Sequence, residues 1–454
     1  MTRCIVIGGG ITGLFSAILA SKYFDNVTLI ENAPKCGGLL QSWQDESGNF
    51  FDLGTHILSE TSNQQINDIL FKGIYENPQD WHQFEVMKVS SSFNSARYDT
   101  GQFVPLHYLD EGDYEKALLQ LLNAKGLPIE QADNLEQFAI ENYGLIVTDK
   151  IFRPIMLKLQ NAELKDLHPS VHYIFGLSRF IPGSVELARE LKKSPCYDAK
   201  LAFATYYDGV SDVPKYYPKR GGVELWIDYL VEQATELGVE IQTSQCVTNV
   251  AFSDSKITDV ILGNGEQLSC DHIIWTIPPV FALKLLDWPL ANIPVRFCPT
   301  SLHHFVLDKP FIDKNFYSNV YDINSIPFRV TFYPNITNDN VVGPYNCTVE
   351  VLGEFDLTEQ ALNDQIILEL KSLGYIEQGA SVVSVSSTKL AMGFPQFSNA
   401  FVNERIRQID ALEAGVKNMT LLGKASKKEF FIYSVLQEAY EQLTYKFDDS
   451  LTSS

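Results

Sequence analysis

Glycines at positions 8, 10 and 13 stand between a short apolar strand, Arg3-Cys4-Ile5-Val6-Ile7, and a helical stretch from Leu14 to Tyr23 with Leu14, Ala17, Ile18 and Ser21 on one face. A second strand, Val27-Thr28-Leu29-Ile30, follows and closes on Glu31. Strand, glycine loop, helix and strand make one βαβ unit. The first glycine permits the tight turn, the second lets the backbone approach a pyrophosphate, and the third lets helix and strand pack closely. The helix N-terminus then offers free N–H groups and a positive dipole end to the phosphates. Glu31 lies about 20 residues beyond the motif, where an acid can hydrogen-bond an adenosine ribose. An acid rather than an arginine there favours a ribose with free hydroxyls. Glycines also gather in turns for plain geometric reasons, so the complete order of elements carries this reading, not the glycines alone. No second Gly-x-Gly-x-x-Gly opens another such unit, and Gly263-Asn264-Gly265 is a hairpin signal. One bound dinucleotide is expected.

Composition narrows the setting. Lys and Arg number 35 against 56 Asp and Glu, a formal net charge of −21 over 454 residues. Nucleic-acid and anionic-membrane binders need a positive field, so neither is expected. A local pocket can still hold a small anion. The seven cysteines (4, 36, 196, 246, 270, 298, 347) form no CxxC pair, which argues against a disulfide framework and against structural zinc. No His/Cys/Asp cluster has metal spacing, and no metal is expected. The opening MTRCIVIGGG enters a strand without a signal-peptide pattern, and no run of about 18 apolar residues occurs. The expectation is a cytoplasmic chain with no membrane span.

Length alone suggests roughly three units, but the pattern of elements reads as two interleaved domains. A helical region covers 110–192, with Tyr114 to Leu122, Glu136 to Tyr143 and Val185 to Leu191 as its clearest helices. The Gly221-Gly222 break precedes a helix from Glu224 to Leu237, then strands at Val239 to Gln242, Cys246 to Phe252, Ile257 to Leu262 and Ile273 to Trp275. Thr, Val, Phe and Tyr dominate a strand-rich region from about 300 to 355. Met419 to Gly423 reads as a strand into a turn, followed by a helix from about Ser434 to Lys446 and a polar tail from Asp448 that frays.

Beyond Glu31 come Gly37-Gly38-x-Leu40 and Phe51-Asp52-Leu53-Gly54-Thr55-His56. Together with the first loop these resemble the start of the FAD-dependent amine-oxidase and protoporphyrinogen-oxidase superfamily. Tyr217-Pro218-Lys219-Arg220-Gly221-Gly222, Ile273-Ile274-Trp275-Thr276-x-Pro278 and Leu421-Leu422-Gly423-Lys424 resemble three further blocks of it, so the resemblance covers most of the chain. It implies an α/β fold: a Rossmann-like FAD-binding domain of glutathione-reductase-2 type (1–75, 215–290 and 395–446) interleaved with a mixed α+β substrate domain (76–214 and 291–394), with 447–454 a flexible tail. It also implies noncovalent FAD, since the cysteine of the covalent-flavin amine oxidases has no counterpart near the C-terminal motif. By the same resemblance the FAD contacts fall on Gly8, Gly10, Ile11, Thr12 and Gly13; on Glu31 and Asn32; on Gly37, Gly38 and Leu39; and on Gly54, Thr55 and His56. Val247 would meet the adenine through backbone groups, and Thr276, Pro278, Gly423, Lys424 and Val435 complete the set.

Two stretches are similar to UDP-galactopyranose mutase and its relatives within that superfamily: Ile151-Phe152-Arg153-Pro154-x(3)-Lys158, and Ile326-Pro327-Phe328-Arg329-Val330-Thr331-Phe332-Tyr333-Pro334-Asn335 with Glu350 ending the next strand. In the mutases the arginine matching Arg329 grips a substrate phosphate. A second phosphate arginine would fall near Ser170, and the mutases' tyrosine and arginine cluster after the last flavin motif becomes Ala425-Ser426-Lys427-Lys428-Glu429-Phe430. Arg329, Tyr333, Lys158 and Tyr217 are the expected substrate-binding residues.

Each of these has a plainer reading. His56 is a candidate proton-transfer group over the flavin, yet a turn histidine near a cofactor also serves as a structural hydrogen-bonder. Arg329 either grips a ligand or pairs with an acid on a neighbouring strand. Lys215, Lys219 and Arg220 form either a phosphate-facing group or a solvated loop. His303 and His304 sit in strand pattern, so one faces each side and shared metal ligation is not expected. Tyr206, Tyr207, Tyr216, Tyr217, Phe328 and Tyr333 either wall a flat substrate or serve as core material. The expected function is an FAD-dependent oxidoreductase that oxidises a small-molecule substrate by hydride transfer. The alternatives are a mutase-like isomerase acting on a nucleotide sugar with reduced FAD, and a flavin-binding module without turnover.

Overall fold

The strand Arg3–Ile7 shows why this sequence builds a buried parallel sheet. Cys4 and Val6 enter one hydrophobic core, while Ile5 and Ile7 enter another on the opposite face, as period-two alternation requires of a strand covered on both sides. The computed structural model describes residues 1–454 apart from 211–212, 338–342, 344, 391–392, 428–429 and 453–454, and the side chains of 449–452. Its central sheet holds five parallel strands in the order Glu240–Gln242, Asn26–Ile30, Arg3–Ile7, His272–Trp275 and Met419–Leu421. They come from three widely separated stretches of chain.

On one face of that sheet pack the helices Ile11–Ala20, Glu224–Glu236 and Ile432–Thr452, contributing Leu14, Trp226 and Leu436 to the first core. The other face carries an antiparallel meander, Val247–Ser253, Lys256–Leu262 and Gln267–Ser269, with the helices Pro279–Leu285 and Asn399–Gly415. Gly263-Asn264-Gly265 turns the last hairpin of that meander, with Gly265 at φ +89°. The architecture is the expected Rossmann-like α/β type.

A second, seven-stranded sheet runs Val382–Leu390, Thr300–Leu307, Tyr345–Leu352, Pro327–Phe332, Tyr317–Val320, Val89–Phe93 and Ala96–Tyr98. All pairs are antiparallel except Tyr317–Val320 with Val89–Phe93. Alternation sorts its residues cleanly. Phe305, Val330, Phe332, Cys347, Val349 and Val351 pack with the helix Glu359–Ser372 in one core. His304, Arg329, Thr331, Thr348 and Glu350 fall on the other side, toward the hairpin Ser42–Gln44/Phe50–Asp52 and the loop after it. The two adjacent histidines part as expected: His303 bonds Asn363 of the covering helix at 2.6 Å, and His304 bonds Thr348 at 2.9 Å.

The first and last helices differ most clearly from the sequence reading. The first helix starts at Ile11, with Gly10 as its N-cap, and stops at Ala20 with Ser21 as its C-cap. The C-terminal helix runs on through Thr452 where a fraying tail was expected. Phe447 is buried against Phe24 (5.0 Å between ring centroids), Tyr23 (5.4 Å) and His272 (5.2 Å), and the Tyr23 hydroxyl donates to Asp448 at 2.9 Å. Docking onto the first helix outweighs the polar composition of the end. Among the described residues no helix is long and apolar enough to cross a membrane, and no group of three or more His, Cys, Asp or Glu is placed to hold a metal ion.

Candidate functional site

Two glycine loops face each other at the C-terminal end of the central sheet. Gly37 N–H donates to the Gly9 carbonyl at 2.8 Å, and a Cβ on Gly38 would lie 3.7 Å from Gly10 Cα. A Cβ on Gly10 would meet nothing within 4 Å, so this wall opens onto empty space. Gly13 is the reverse: its Cβ would fall 1.8 Å from the Gly8 carbonyl oxygen, and Gly8 itself sits at φ +104°. The helix from Ile11 begins here with Thr12 and Gly13 in its first turn. The Glu31 carboxylate accepts from Gly9 N–H at 2.6 Å and from Ala33 N–H at 2.7 Å; Asn32 and, after Gly38, Leu39 are exposed.

Several of the remaining expected residues pack beside these loops. Ser244 and Gln245 N–H groups donate to the carbonyls of Ala33 (2.9 Å) and Glu31 (3.0 Å), which brings the strand beginning at Val247 beside the Glu31 end. The Thr276 hydroxyl donates to the Ile7 carbonyl at 2.8 Å, and Pro278 caps the helix that follows. Gly423 lies where a Cβ would come 3.2 Å from Thr12 Oγ1 and from the Thr276 carbonyl oxygen; Lys424 N–H donates to that carbonyl at 3.2 Å, its side chain exposed. Val435 is buried in the first turn of the C-terminal helix. Lys428 and Glu429 lie outside the described residues. A side-chain-free cradle at a helix N-terminus, closed by an acid at the ribose distance, fits the pyrophosphate and adenosine of FAD.

Asp52 organises the packing beyond the glycine loops. Its buried carboxylate accepts the Ser42 hydroxyl (2.6 Å), the Tyr217 hydroxyl (2.7 Å) and the Val223 N–H (2.9 Å), while its own N–H donates to the Tyr333 hydroxyl (2.9 Å). Burial pushes this carboxyl up from the ordinary Asp range, against those three donors. Gly222, at φ +66°, is held tightly here: a Cβ would sit 2.3 Å from Ser42 Oγ and 2.5 Å from Asp52 Oδ1. Three stretches of chain thus meet at Asp52: the hairpin that holds Ser42, the segment from Tyr217 to Val223, and the residues around Tyr333.

The loop Gly54-Thr55-His56 leaves that anchor and reaches the polar face of the second sheet. Thr55 donates to Glu350 Oε1 from its N–H (3.2 Å) and its hydroxyl (3.1 Å), and bonds the Thr331 hydroxyl. Arg329 Nη1 stands 3.6 Å from the same Glu350 oxygen, and its Nε donates to Asn319 at 3.2 Å. Its guanidinium lies over Phe328 (4.9 Å) and Tyr317 (5.9 Å). His56 Nε2 is enclosed and has no hydrogen-bond partner. Burial holds the His56 ring below the ordinary histidine range, with Asp52 and Glu350 pulling the other way.

Three of the four expected substrate residues are committed elsewhere. Tyr217 and Tyr333 are buried on Asp52, Tyr333 bonding Thr348 as well (2.8 Å). The Lys158 ammonium donates to the carbonyls of Val320 (3.1 Å), Asp322 (2.8 Å) and Pro327 (2.8 Å). Burial pulls its pKa down to about 7, but three carbonyl acceptors need three N–H donors, so this geometry belongs to the charged form. Arg329 keeps 26% of its side chain exposed. Ser170 bonds the His168 ring at 2.8 Å. Lys215 donates to the Glu85 and Val213 carbonyls and Lys219 to that of Gln79, so these two lysines are spent on main-chain carbonyls, while Arg220 is exposed. Phe328 packs on Phe175 and Tyr216 bonds Glu60, apart from Tyr206 and exposed Tyr207. Asp52 as anchor was missed; a lone charge inside the apolar run Phe50-Phe51-Asp52-Leu53 was its signal, because a buried carboxylate must be bonded.

Comparison with known proteins points the same way. The family described as flavin containing amine oxidoreductase matches residues 11–436. The 4,4'-diapolycopene oxygenase of Methylomonas sp is 27% identical over 313 residues, 64% of this chain and 59% of that protein; the chain therefore spans under two thirds of this relative's length. The fold is shared with reduced UDP-galactopyranose mutase (TM-score 0.69, 19% identity, 94% of this chain and 90% of that one). It is also shared with a putative protoporphyrinogen oxidase from Exiguobacterium sp. 255-15 (TM-score 0.67, 15% identity, 99% of each chain).

Proposed function

This chain belongs to the flavin-containing amine oxidoreductase family, and from that premise we propose that it oxidises a small-molecule substrate by hydride transfer to noncovalently held FAD. FAD supplies the two-electron acceptor. The observation that carries the reading is the cluster of Arg329, Glu350, Thr55 and His56, built where the polar face of the second sheet meets the loop leaving the cofactor domain. Arg329 holds an anionic or strongly accepting group of the substrate through its unused N–H donors. Glu350 and Thr55 fix the loop, and His56, kept neutral by burial, receives a proton at Nε2. The bonded Asp52 hub keeps the two domains in register around that space.

A second reading, isomerisation of a nucleotide sugar with reduced flavin, is favoured by the likeness to the mutase fold. Charge weighs against it. A diphosphate calls for uncompensated cations, whereas Arg329 stands beside Glu350, and by the resemblance the second arginine would fall near Ser170, which bonds His168.

Purified protein is expected to be yellow, with flavin released by heat; colourless protein that FAD cannot reconstitute sinks both readings. Anaerobic mixing with a metabolite panel should bleach the flavin in at least one case. Tight nucleotide-sugar binding confined to reduced protein and lost in Arg329→Ala would transfer the assignment to the isomerase.

A further inference from the structure

Glu350 serves two masters with unequal strength. Its Oε1 receives two hydrogen bonds from Thr55, at 3.1 and 3.2 Å, but stands 3.6 Å from Arg329 Nη1, beyond hydrogen-bond length. A guanidinium offers five N–H donors, and here one is spent on Asn319. The Arg329 side chain is 26% exposed; that of Glu350 is 8% exposed and fixed in the register Arg329↔Glu350 of paired strands. The arginine can therefore turn toward a ligand that the carboxylate cannot follow.

We propose that Glu350 is a positioning residue that couples the capture of an anionic substrate group by Arg329 to the placement of the Gly54–His56 loop against the cofactor. It rests on the reading of Arg329 as the anion-holding group. A bidentate bond to an anion is shorter and stronger than the present contact with Glu350, so the anion displaces that contact. Glu350 then keeps its full charge for Thr55 and draws the loop in. Gly54 and His56 lie within that reach: a Cβ on Gly54 would sit 4.0 Å from Glu350 Oε1 and 3.4 Å from His56 Nε2. Substrate binding is thereby felt at the cofactor before any chemistry occurs.

The test uses the full chain loaded with FAD and acetate as the anionic probe, reading affinity by calorimetry and the flavin absorbance difference on binding. Wild type should bind with a clear difference spectrum. Glu350→Gln keeps an acceptor for Thr55 but no longer competes for Arg329, and should bind about fivefold tighter with the spectrum retained. Glu350→Ala should bind as tightly as Glu350→Gln but lose the difference spectrum. A full spectrum in Glu350→Ala, or unchanged affinity in Glu350→Gln, overturns the coupling while leaving Arg329 as the anion site. Absence of binding in wild type, or undiminished binding in Arg329→Ala, overturns the anion site and the coupling with it. Retained FAD and an unchanged melting temperature in Glu350→Gln separate either result from misfolding.

Discussion

The Tyr217 hydroxyl donates to Asp52 Oδ2 at 2.7 Å, and this single bond joins the hairpin that ends at Asp52 to the strand Lys215–Pro218 across 165 residues of sequence. Ser42 and Val223 donate to the other oxygen. Removing the carboxylate strands three buried donors at once. Asp52→Ala should cost about 3–5 kcal/mol of unfolding free energy, and Asp52→Asn, which keeps one acceptor, roughly half of that. Urea denaturation measures both; a loss under about 1 kcal/mol in Asp52→Ala would refute the hub.

Gly10 and Gly13 separate cofactor binding from folding. The open space beside Gly10 predicts that Gly10→Val folds with near-normal stability but emerges without flavin. Gly13→Ala forces a Cβ into the Gly8 carbonyl and should lose at least about 3 kcal/mol of stability through overpacking. Thermal melting and heat-released flavin, measured on both variants, distinguish the two effects.

Lys158 and Arg329 make a second contrasting pair. Lys158→Met abandons three main-chain carbonyls and should destabilise by about 3 kcal/mol. Arg329→Ala should leave stability within about 1 kcal/mol while abolishing anion binding. Equal stability losses in the two would show that Arg329 is merely part of the sheet's internal pairing.

Acid should unfold this protein through its buried histidines. Burial pulls His272 and His304 down to about 3 and His172 to about 4, so the folded state holds them neutral while the unfolded chain protonates near pH 6.5. Their contribution is complete above that value and is lost as pH falls from 6.5 toward 3–4. Each ring takes away about 1.4 kcal/mol per pH unit over that window. His304→Gln should flatten the acid slope by one proton's worth, read from denaturation at pH 5 and pH 7.

Legibility followed sequence distance. The βαβ unit, the Gly-Asn-Gly hairpin and the helix Val185–Leu191 were readable because strand period, glycine turns and helix spacing act over a few residues. The hairpin Ser42–Gln44/Phe50–Asp52, with only three residues per strand, was not. Its register is decided by Trp43 and Phe51 stacking on each other (5.0 Å) and against His304 from the second sheet. Lys158 and Tyr333 carried a ligand-binding pattern, and no local rule announces that carbonyls 162 and more residues away consume the lysine.

By itself the sequence determined a glycine-lined dinucleotide cradle and the strands and helices around it, since the chemistry of a pyrophosphate site is written in adjacent backbone groups. Only the tertiary structure decided which cation stays available. Thr55 reaches Glu350 across 295 residues, and Arg329 faces Glu350 across a sheet register; such pairings depend on how the loop after Asp52 packs on the second sheet. Net charge of −21 is a sum over the whole chain; the site depends on where Glu31, Asp52, Arg329 and Glu350 are held.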